Sequence, residues 1–466
     1  MRILLISTNT AASPYPVFPL GCGIIASVLQ KAGYEVRLFD VMASIGESFS
    51  FENAENALSR EIRSFRPDIA GISIRNIDNV NILEEESFLA MPKRAVELLK
   101  EYSPEIPVIA GGSGFSIMPE RILEHIGADY GIAGEGEKII LELVRLIETG
   151  GEPDRKILRQ NDSGLTGNSI RGADYASPSP APLTRFYTSA GSILPLQTKR
   201  GCLNHCVYCT YPFLEGGTLR SRPAEEVVNE MKLLRDEHGA DFVFFTDSVF
   251  NDSAGEYLKI IEEIEKQRLD IPWTAFFQPD PELDETAVDR LISAGLHSVE
   301  LGPDAASDTT LKAMGKHFTF DDVVKCNELF SKKHIAVANY FMMGGPGETE
   351  ETAAEGVNNI EKLNMSVSFV FLGIRILPGT PLYKLAVREN VITKDTDLLN
   401  PVYYFSPALS REWLEKFLDS TLGKMKHCVY PPNSMDAGIQ ILRKMGYRGN
   451  LWEMMVKDSR RLPKSS

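Results

Sequence analysis

The feature of this 466-residue chain that most constrains its fold is a regular alternation of short apolar segments with amphipathic helical segments. The alternation runs through residues 1–150 and returns from 191 to about 390. Such a pattern predicts parallel β-sheets, because a parallel strand is joined to its neighbour by a long crossover that is usually a helix. The chain is also too long for one ordinary core, so two or three domains of the α/β class are expected.

Residues 1–150 predict a Rossmann-like, doubly wound sheet. The predicted strands are Ile3–Ser7, Glu35–Asp40, Ile69–Ile74, Val108–Ala110 and Tyr130–Ala133. Glycine clusters follow the last two of them, at 111–114 and 134–137. Ligands of such sheets bind at the carboxyl ends of the strands, where glycine lets a ligand approach the backbone closely.

Residues 191–390 predict six further strand–helix units. The predicted strands are Ile193–Thr198, Phe242–Thr246, Trp273–Gln278, Ser298–Gly302, Ile335–Met343 and Ser368–Ile376. Six units make a partial (β/α)6 barrel, two short of the usual eight, with its site at the carboxyl ends of the strands. Residues 151–190 are rich in Gly, Ser, Asp and Pro and predict a linker. Residues 391–466 predict a small helical region.

Three of the six cysteines, Cys202, Cys206 and Cys209, form a C-x3-C-x2-C triplet directly after the first strand of the predicted barrel. Three thiolates this close can hold three irons of a 4Fe-4S cluster and leave the fourth iron open. Zinc is the alternative, but it prefers four ligands, often in two C-x2-C pairs, and no second pair is present. His205 is poorly placed as a fourth ligand because it adjoins Cys206. The three remaining cysteines are isolated and are expected to be structural.

A second motif, Gly21–Ala26, matches the G-x-G-x-x-A fingerprint of dinucleotide-binding proteins, and Asp40 ends a predicted strand about twenty residues on. In that fingerprint the glycines form the turn that leaves the first strand. Here about thirteen residues with three prolines separate Ser7 from Gly21. We therefore expect close helix–sheet packing at these glycines rather than nicotinamide binding.

Composition limits the possible partners. The formal net charge is −15, so no basic surface for nucleic acid or anionic lipid is indicated. The sequence contains no run of 18 apolar residues, the length needed to span a membrane. The apolar segment at the amino terminus is expected to be too short for a signal peptide. Because the cysteines favour a reducing compartment, a cytoplasmic enzyme is expected.

The cysteine triplet, with Arg200-Gly201 before it and Tyr208 inside it, resembles the radical S-adenosylmethionine (radical SAM) superfamily. The resemblance implies a 4Fe-4S cluster, held by the triplet, that binds SAM through its open iron. Asp247 and Ser248 take the place of the acceptors for the SAM amino group, and Glu300 and Asp304 compete for the ribose hydroxyls. The full set of implied SAM contacts is Tyr208, Asp247, Ser248, Glu300, Asp304, Gly345 and Leu377.

Residues 1–150 resemble the cobalamin-binding domain that precedes the barrel in many radical SAM enzymes. The segments that carry this resemblance are Phe18–Gly21, Gly33–Val36, Asp68–Ser73, Gly111-Gly112 and Gly134–Glu137. The implied cobalamin contacts are Ser73, Arg75, Asn76, Gly111, Gly112, Ser113, Gly134 and Glu135. The D-x-H-x-x-G signature is missing, and the one histidine before residue 200, His125, lies in a predicted helix. We therefore expect cobalamin without a histidine ligand.

Together these resemblances imply a cobalamin-dependent radical SAM enzyme. Such an enzyme takes electrons from a donor such as flavodoxin or ferredoxin and cleaves SAM to a 5′-deoxyadenosyl radical. The expected outcome is C-methylation of an unactivated carbon in a small or lipid-like metabolite, with no protein side chain predicted as a catalyst. Two alternatives stay open: a non-methylating radical SAM cyclase or oxidoreductase in which cobalamin has a redox or structural role, and an iron–sulfur sensor or electron-transfer protein.

Overall fold

The computed structural model describes residues 1–11, 16–46, 50–159, 181–191 and 193–456. The chain forms two compact units, residues 1–79 with 86–189 and residues 80–85 with 190–466. Among the described residues, no helix is both long and apolar enough to cross a membrane. Most of the predicted linker, residues 160–180, and the polar tail after 456 lie outside the described residues.

The first unit is the predicted doubly wound α/β fold, with six parallel strands in the order β2-β1-β3-β4-β5-β6. Its elements are β1 (Arg2–Ser7), α1 (Leu20–Lys31), β2 (Glu35–Asp40), α2 (Val41–Ile45), α3 (Phe51–Phe65), β3 (Ile69–Ser73), α4 (Ala90–Tyr102), β4 (Val108–Gly111), α5 (Ser113–Ile117), α6 (Pro119–Ile126), β5 (Tyr130–Ala133), α7 (Glu137–Glu148), β6 (Ile157–Arg159) and α8 (Ala181–Ala190). The inner strands β1, β3 and β4 are buried on both faces, which explains their continuous apolar runs.

This unit extends beyond the predicted boundary at residue 150. Residues Ile157–Arg159 add the edge strand β6, which pairs with β5. Tyr187 of α8 is buried, contacts the Phe18 ring at 5.4 Å between centroids, and donates a hydrogen bond to the Asp40 carboxylate at 2.9 Å. The polar segment predicted as a linker thus contains the helix α8, and the buried Tyr187 attaches this helix to the first unit.

The second unit contains a seven-stranded parallel sheet in the order β7-β10-β11-β12-β13-β14-β17. Its elements are β7 (Ile193–Leu196), β8 (Lys199–Arg200), α9 (Tyr211–Leu214), β9 (Arg220–Ser221), α10 (Ala224–Asp236), β10 (Phe242–Phe245), α11 (Glu256–Gln267), β11 (Trp273–Phe277), α12 (Glu285–Ser293), β12 (Leu296–Asp304), α13 (Asp308–Ala313), α14 (Phe320–Lys332), β13 (Ala336–Met343), α15 (Glu350–Ile360), β14 (Ser366–Leu372), β15 (Ile374–Arg375), α16 (Pro381–Arg388), β16 (Tyr403–Tyr404), α17 (Arg411–Thr421), β17 (Cys428–Val429) and α18 (Asp436–Lys444).

The predicted partial barrel is confirmed, with two differences at the end of its sheet. The sixth predicted strand, Ser368–Ile376, is divided at Gly373 into β14 and the short β15, which pairs with β16 instead. Gly373 has a positive φ of 72°, so the chain turns there. The seventh strand, β17, comes from the C-terminal region, and sequence reasoning did not predict it.

The two faces of the barrel sheet differ in exposure. In β13 the alternate residues Asn339 and Phe341 are buried and contact α14 through Asn327 and Phe320. Successive side chains of a strand point to opposite faces, so Tyr340 of β13 lies on the inner face, and it is only partly buried. The helices therefore cover the outer face, and the inner face near the carboxyl ends is open.

The C-terminal segment closes the other end of this inner face. A 3-10 helix, Leu451–Met455, places Trp452 against Ala336, Ala338 and Val367, which are inner-face residues of β13 and β14. Glu453 in the same turn lies 2.9 Å from the His297 ring nitrogen. The last part of the predicted C-terminal helical region therefore closes the bottom of the barrel, whereas Leu414 of α17 lies beside Gly344 at the carboxyl end of β13.

Candidate cluster and cofactor site

The cysteine triplet lies in the loop between β8 and α9, and all three thiols are free. The loop backbone is held at two points, since Val207 donates to the Met314 carbonyl at 3.1 Å and accepts from Leu382 at 2.8 Å. Two neighbouring segments of the barrel therefore position the loop at the carboxyl ends of the strands, where the sequence predicted the site.

Two glycines permit this loop to pack so closely. Gly201 has a φ of 92°, and a Cβ there would lie 2.0 Å from the Thr218 carbonyl oxygen. Gly315, with a φ of 79°, faces the loop from outside, and its Cβ would lie 2.8 Å from the His205 carbonyl oxygen. Both positions therefore require glycine for conformation and for space.

The donor set fits a 4Fe-4S cluster better than a zinc ion. Among the residues that the structure describes, no three His, Cys, Asp or Glu side chains lie close enough together to bind a single metal ion. A cluster instead distributes its thiolate ligands over separate irons. Burial raises the pKa of the Cys206 thiol, and the Lys316 ammonium partly offsets this. The residues present fit three-cysteine ligation, with one iron free of protein ligands.

A partly buried ion pair supports the cluster loop from the end of β12. The Asp304 carboxylate pairs with Lys316 and accepts a hydrogen bond from the Tyr208 hydroxyl. Lys316 also donates to the Tyr208 hydroxyl at 3.2 Å and the Gly302 carbonyl at 3.3 Å. The predicted SAM contacts Tyr208 and Asp304 are thus bound to each other. Lys316 was missed because it follows α13 and belongs to no motif we recognised.

The side chain of Asp247, a predicted acceptor for the SAM amino group, makes its contacts within the protein. Its buried carboxylate accepts hydrogen bonds from the Thr198 amide at 2.7 Å and the Lys199 amide at 3.2 Å, and it lies 3.3 Å from the Lys199 ammonium. It therefore fastens the segment that leads into the cluster loop instead of facing outward toward an amino group. Its neighbour Ser248 is partly exposed and donates to the Gly201 carbonyl at 3.1 Å.

The glycine-rich turn after β13 is organised by Glu348. Its buried carboxylate accepts from the backbone amides of Gly344 and Gly345, the second at 3.1 Å. Burial raises the pKa of Glu348 to about 7, and these two amides partly offset the rise. The backbone of Gly345, a predicted SAM contact, is thus held in place by the carboxylate of Glu348, which the sequence did not point to. Leu377 is half-buried after β15, and its carbonyl accepts from the Thr380 hydroxyl at 2.7 Å.

Glu300, the second candidate for the ribose hydroxyls, lies deeper in the barrel than Asp304. It is on the inner face of β12, where it accepts from the Tyr340 hydroxyl at 3.0 Å. Burial raises its pKa to about 7, and the side chains of Tyr340 and Trp452 partly offset the rise. The two carboxylates that sequence reasoning left in competition therefore have separate positions and partners.

In the first unit, the predicted cobalamin contacts gather at the carboxyl edge of β3 and β4. Ser73 pairs with Gly111 across these strands, and Ser113 donates to the Arg75 carbonyl at 2.8 Å. Gly112 has a φ of 104°, and a Cβ there would lie 2.4 Å from the Ile74 carbonyl oxygen. The backbone at Gly112 therefore crosses closely over the backbone at Ile74. The side chains of Arg75 and Asn76, which follow Ile74, are exposed.

The remaining predicted contacts follow β5. Gly134 is exposed with a φ of 89°, and a Cβ there would meet no atom within 4 Å, while Glu135 beside it is partly buried. His125 is exposed in the last turn of α6. Because α6 leads into the start of β5, this histidine lies toward the amino edge of the sheet, opposite the predicted cobalamin contacts. An open carboxyl edge of glycine and polar residues fits a large planar ligand without a histidine beneath it.

The fingerprint-like glycines of α1 do not form a dinucleotide site. Asp40, which would bind a ribose, is buried and caps α2 by accepting from the Ala43 amide at 2.7 Å. Burial raises the pKa of Asp40 and also raises that of Cys22, in the middle of the motif, to about 12. Cys22 is therefore an inert thiol in helix–sheet packing, as expected. The close packing expected at the glycines does not extend to Gly21, which is exposed and whose Cβ would meet no atom within 4 Å.

Comparison with known proteins gives two family matches. Residues 196–360 match the Radical SAM superfamily, and residues 6–144 match the B12 binding domain. Tryptophan 2-C-methyltransferase of Streptomyces laurentii is 27% identical over 439 aligned residues, covering 79% of this chain and 72% of that protein. Cytidylyl-2-hydroxyethylphosphonate methyltransferase of Streptomyces wedmorensis is 24% identical and covers 84% and 82%. The fold is similar to that of the radical SAM methyltransferase TsrM from Kitasatospora setae, solved with cobalamin and a [4Fe-4S] cluster, with a TM-score of 0.81, 23% identity and 97% of each chain covered.

Proposed function

We propose that this chain, which belongs to the radical SAM enzymes with a B12-binding domain, is a methyltransferase that methylates carbon in a small, largely apolar molecule. Its cofactors are the predicted 4Fe-4S cluster, SAM and cobalamin. When bound, the cluster supplies an electron and a binding position for SAM, and cobalamin supplies a carrier for the methyl group. The observation that carries the proposal is the three-cysteine loop above an open inner barrel face, in a chain that also holds a B12-binding domain.

The residues of this chain contribute position and exclusion of water. Cys202, Cys206 and Cys209 would hold the cluster, and the Asp304–Lys316 pair would keep their loop from shifting. Ser248 and Gly345 lie on loops after different strands, so they are suited to orient opposite ends of SAM. Cobalamin would lie on the edge that contains Gly112, where only glycine fits between crossing backbones.

The named relatives support methylation. The tryptophan and hydroxyethylphosphonate enzymes both carry methyltransferase names, and they differ in substrate. A small molecule is therefore the substrate class that we propose, and its apolar character rests on the aromatic side chains of the inner barrel face. Electrons would come from a donor such as flavodoxin or ferredoxin.

Anaerobic incubation of the reconstituted enzyme with reductant, cobalamin and SAM labelled in its methyl group tests this function. The label should pass to protein-bound cobalamin, with one S-adenosylhomocysteine formed for each methyl group. The Cys206→Ala variant should lose iron and form no 5′-deoxyadenosine, because one of three cluster ligands is gone. Cys428→Ala removes a thiol far from the triplet in sequence and serves as the control.

The products also separate the alternatives. Formation of 5′-deoxyadenosine without S-adenosylhomocysteine or labelled cobalamin would favour a cyclase or oxidoreductase. A reduced cluster that leaves SAM intact under all of these conditions would favour a sensor or electron-transfer protein. Either outcome would contradict methyl transfer.

A further inference from the structure

An aromatic wall lines the inner face of the barrel, and none of its four residues belongs to the cluster loop or to the predicted SAM contacts. We define this wall as Phe244, Phe276, Tyr340 and Phe369, from β10, β11, β13 and β14. The Phe276 ring lies 5.3 Å from that of Phe244 and 6.3 Å from that of Tyr340, measured between centroids. Because β12 lies between β11 and β13 in the sheet, the contact between Phe276 and Tyr340 passes over β12 on the concave face. The four rings therefore face one shared space.

Phe276 shows that this space is open. The residue sits in the middle of a parallel sheet, yet its side chain is 39% exposed, whereas its neighbours Ala275 and Phe277 are buried. A large apolar side chain inside a sheet stays exposed only where nothing covers that face. Exposed apolar surface enclosed by a fold commonly marks a ligand pocket.

Trp452 forms the floor of the same space. The residues beneath its indole, Ala336, Ala338 and Val367, are small or branched, and they leave room on the strands for this large side chain. The buried carboxyl group of Glu300 lies between floor and wall and is bonded to Tyr340. The pocket is thus closed below, apolar at its sides and open toward the carboxyl ends of the strands.

The geometry of the wall favours a flat aromatic guest over a flexible chain. Tyr340 and Phe369 stack at 5.2 Å with an angle of 13° between their planes, whereas Phe244 and Phe276 meet edge to face at 69°. Aromatic rings gain extra stabilisation from both arrangements beyond the burial of area. A planar ring loses little conformational entropy on binding, unlike an acyl chain with many rotatable bonds.

Resting on the proposed function, we propose that this pocket is the substrate site and that it selects a molecule with a planar aromatic ring. Trp452 sets the depth of the pocket and so limits the size of the ring system. The C-terminal segment therefore determines substrate specificity, in addition to closing the fold.

Calorimetric titration of the reconstituted holoenzyme with indole and with heptanoate, a chain of the same number of heavy atoms, tests this assignment. Indole should bind saturably and at least tenfold more tightly than heptanoate. Phe276→Ala should weaken indole binding at least fivefold. The control is Leu258→Ala on the outer helix α11, which removes an apolar side chain of equal exposure, 39%, and should leave indole binding unchanged. Trp452→Phe should improve the affinity for the three-ring β-carboline relative to indole at least threefold.

Absence of saturable indole binding, tighter binding of heptanoate, or equal effects of Phe276→Ala and Leu258→Ala would each overturn the pocket assignment. Transfer of label from SAM to cobalamin is measured in the same preparation and needs no substrate. If transfer persists while indole does not bind, the proposed function stands and the pocket inference fails. If indole binds as expected while transfer is absent, the methyltransferase function fails instead.

Discussion

Removing one member of the Asp304–Lys316 pair should weaken the support of the cluster loop by about 3 kcal/mol. Breaking a buried ion pair by deleting one partner costs about 3 to 5 kcal/mol, because the other charge remains buried. The lower value applies here, since the Asp304 side chain is 18% exposed and the Lys316 side chain 7% exposed, and Tyr208 remains as a hydrogen-bonding partner of each. The perturbations are Lys316→Met and Asp304→Asn. Asparagine suits this site, because residue 304 has a φ of 65°, a conformation that asparagine tolerates.

The assay is native-state hydrogen exchange of backbone amides in β12 and in the cluster loop, measured for the protein without cofactors. Local exchange reports the free energy of opening one region, which suits a chain of two units whose global unfolding need not be two-state. Each single variant should lose about 3 kcal/mol of local protection, and the double variant should lose clearly less than the sum. Strict additivity, or single losses below about 0.5 kcal/mol, would show that the pair does not support the loop.

Three glycine and carboxylate substitutions test other parts of the structure. Gly112→Ala should destabilise the first unit by about 3 kcal/mol and weaken cobalamin binding, whereas Gly134→Ala should destabilise it by about 1 kcal/mol. Both glycines have a positive φ, but only a Cβ at position 112 would collide with the Ile74 carbonyl. Equal thermal shifts would contradict this account. Since the pKa of Glu300 is raised to about 7 in the folded protein, its folded form binds more protons than its unfolded form, so its contribution to stability falls as pH rises from about 4.5 to about 7. The free energy of unfolding of Glu300→Gln, measured in urea, should therefore rise by up to about 3 kcal/mol relative to that of the unsubstituted protein as the pH increases from 4.5 to 8. If the difference between the two proteins does not change over that range, Glu300 is not a buried, titrating carboxyl group.

The sequence by itself determined the two α/β units and their resemblance to two domain families, and both are confirmed by the fold and by the matches to the B12 binding domain and the Radical SAM superfamily. Their signals are local: apolar runs at strand and helix periods, and a cysteine triplet whose spacing fits one loop. Most predicted strands begin and end within two residues of the observed ones, because burial on both faces leaves an unbroken apolar run. The individual SAM and cobalamin contacts stay predictions, since a motif indicates a strand end without showing which side chain points outward.

Tertiary structure alone decided how the charged groups are used. Asp247 lies in the predicted motif, yet its carboxylate is taken up by the strand beside it, while Lys316 lies in no motif and reaches the cluster loop. Trp452 and Glu300 are about 150 residues apart in sequence and meet inside the barrel. A hydrogen bond or ion pair between distant segments leaves no periodic trace in either one, because its partner is chosen by the packing of the whole unit. The role of each buried charge therefore appears only when the strands are assembled.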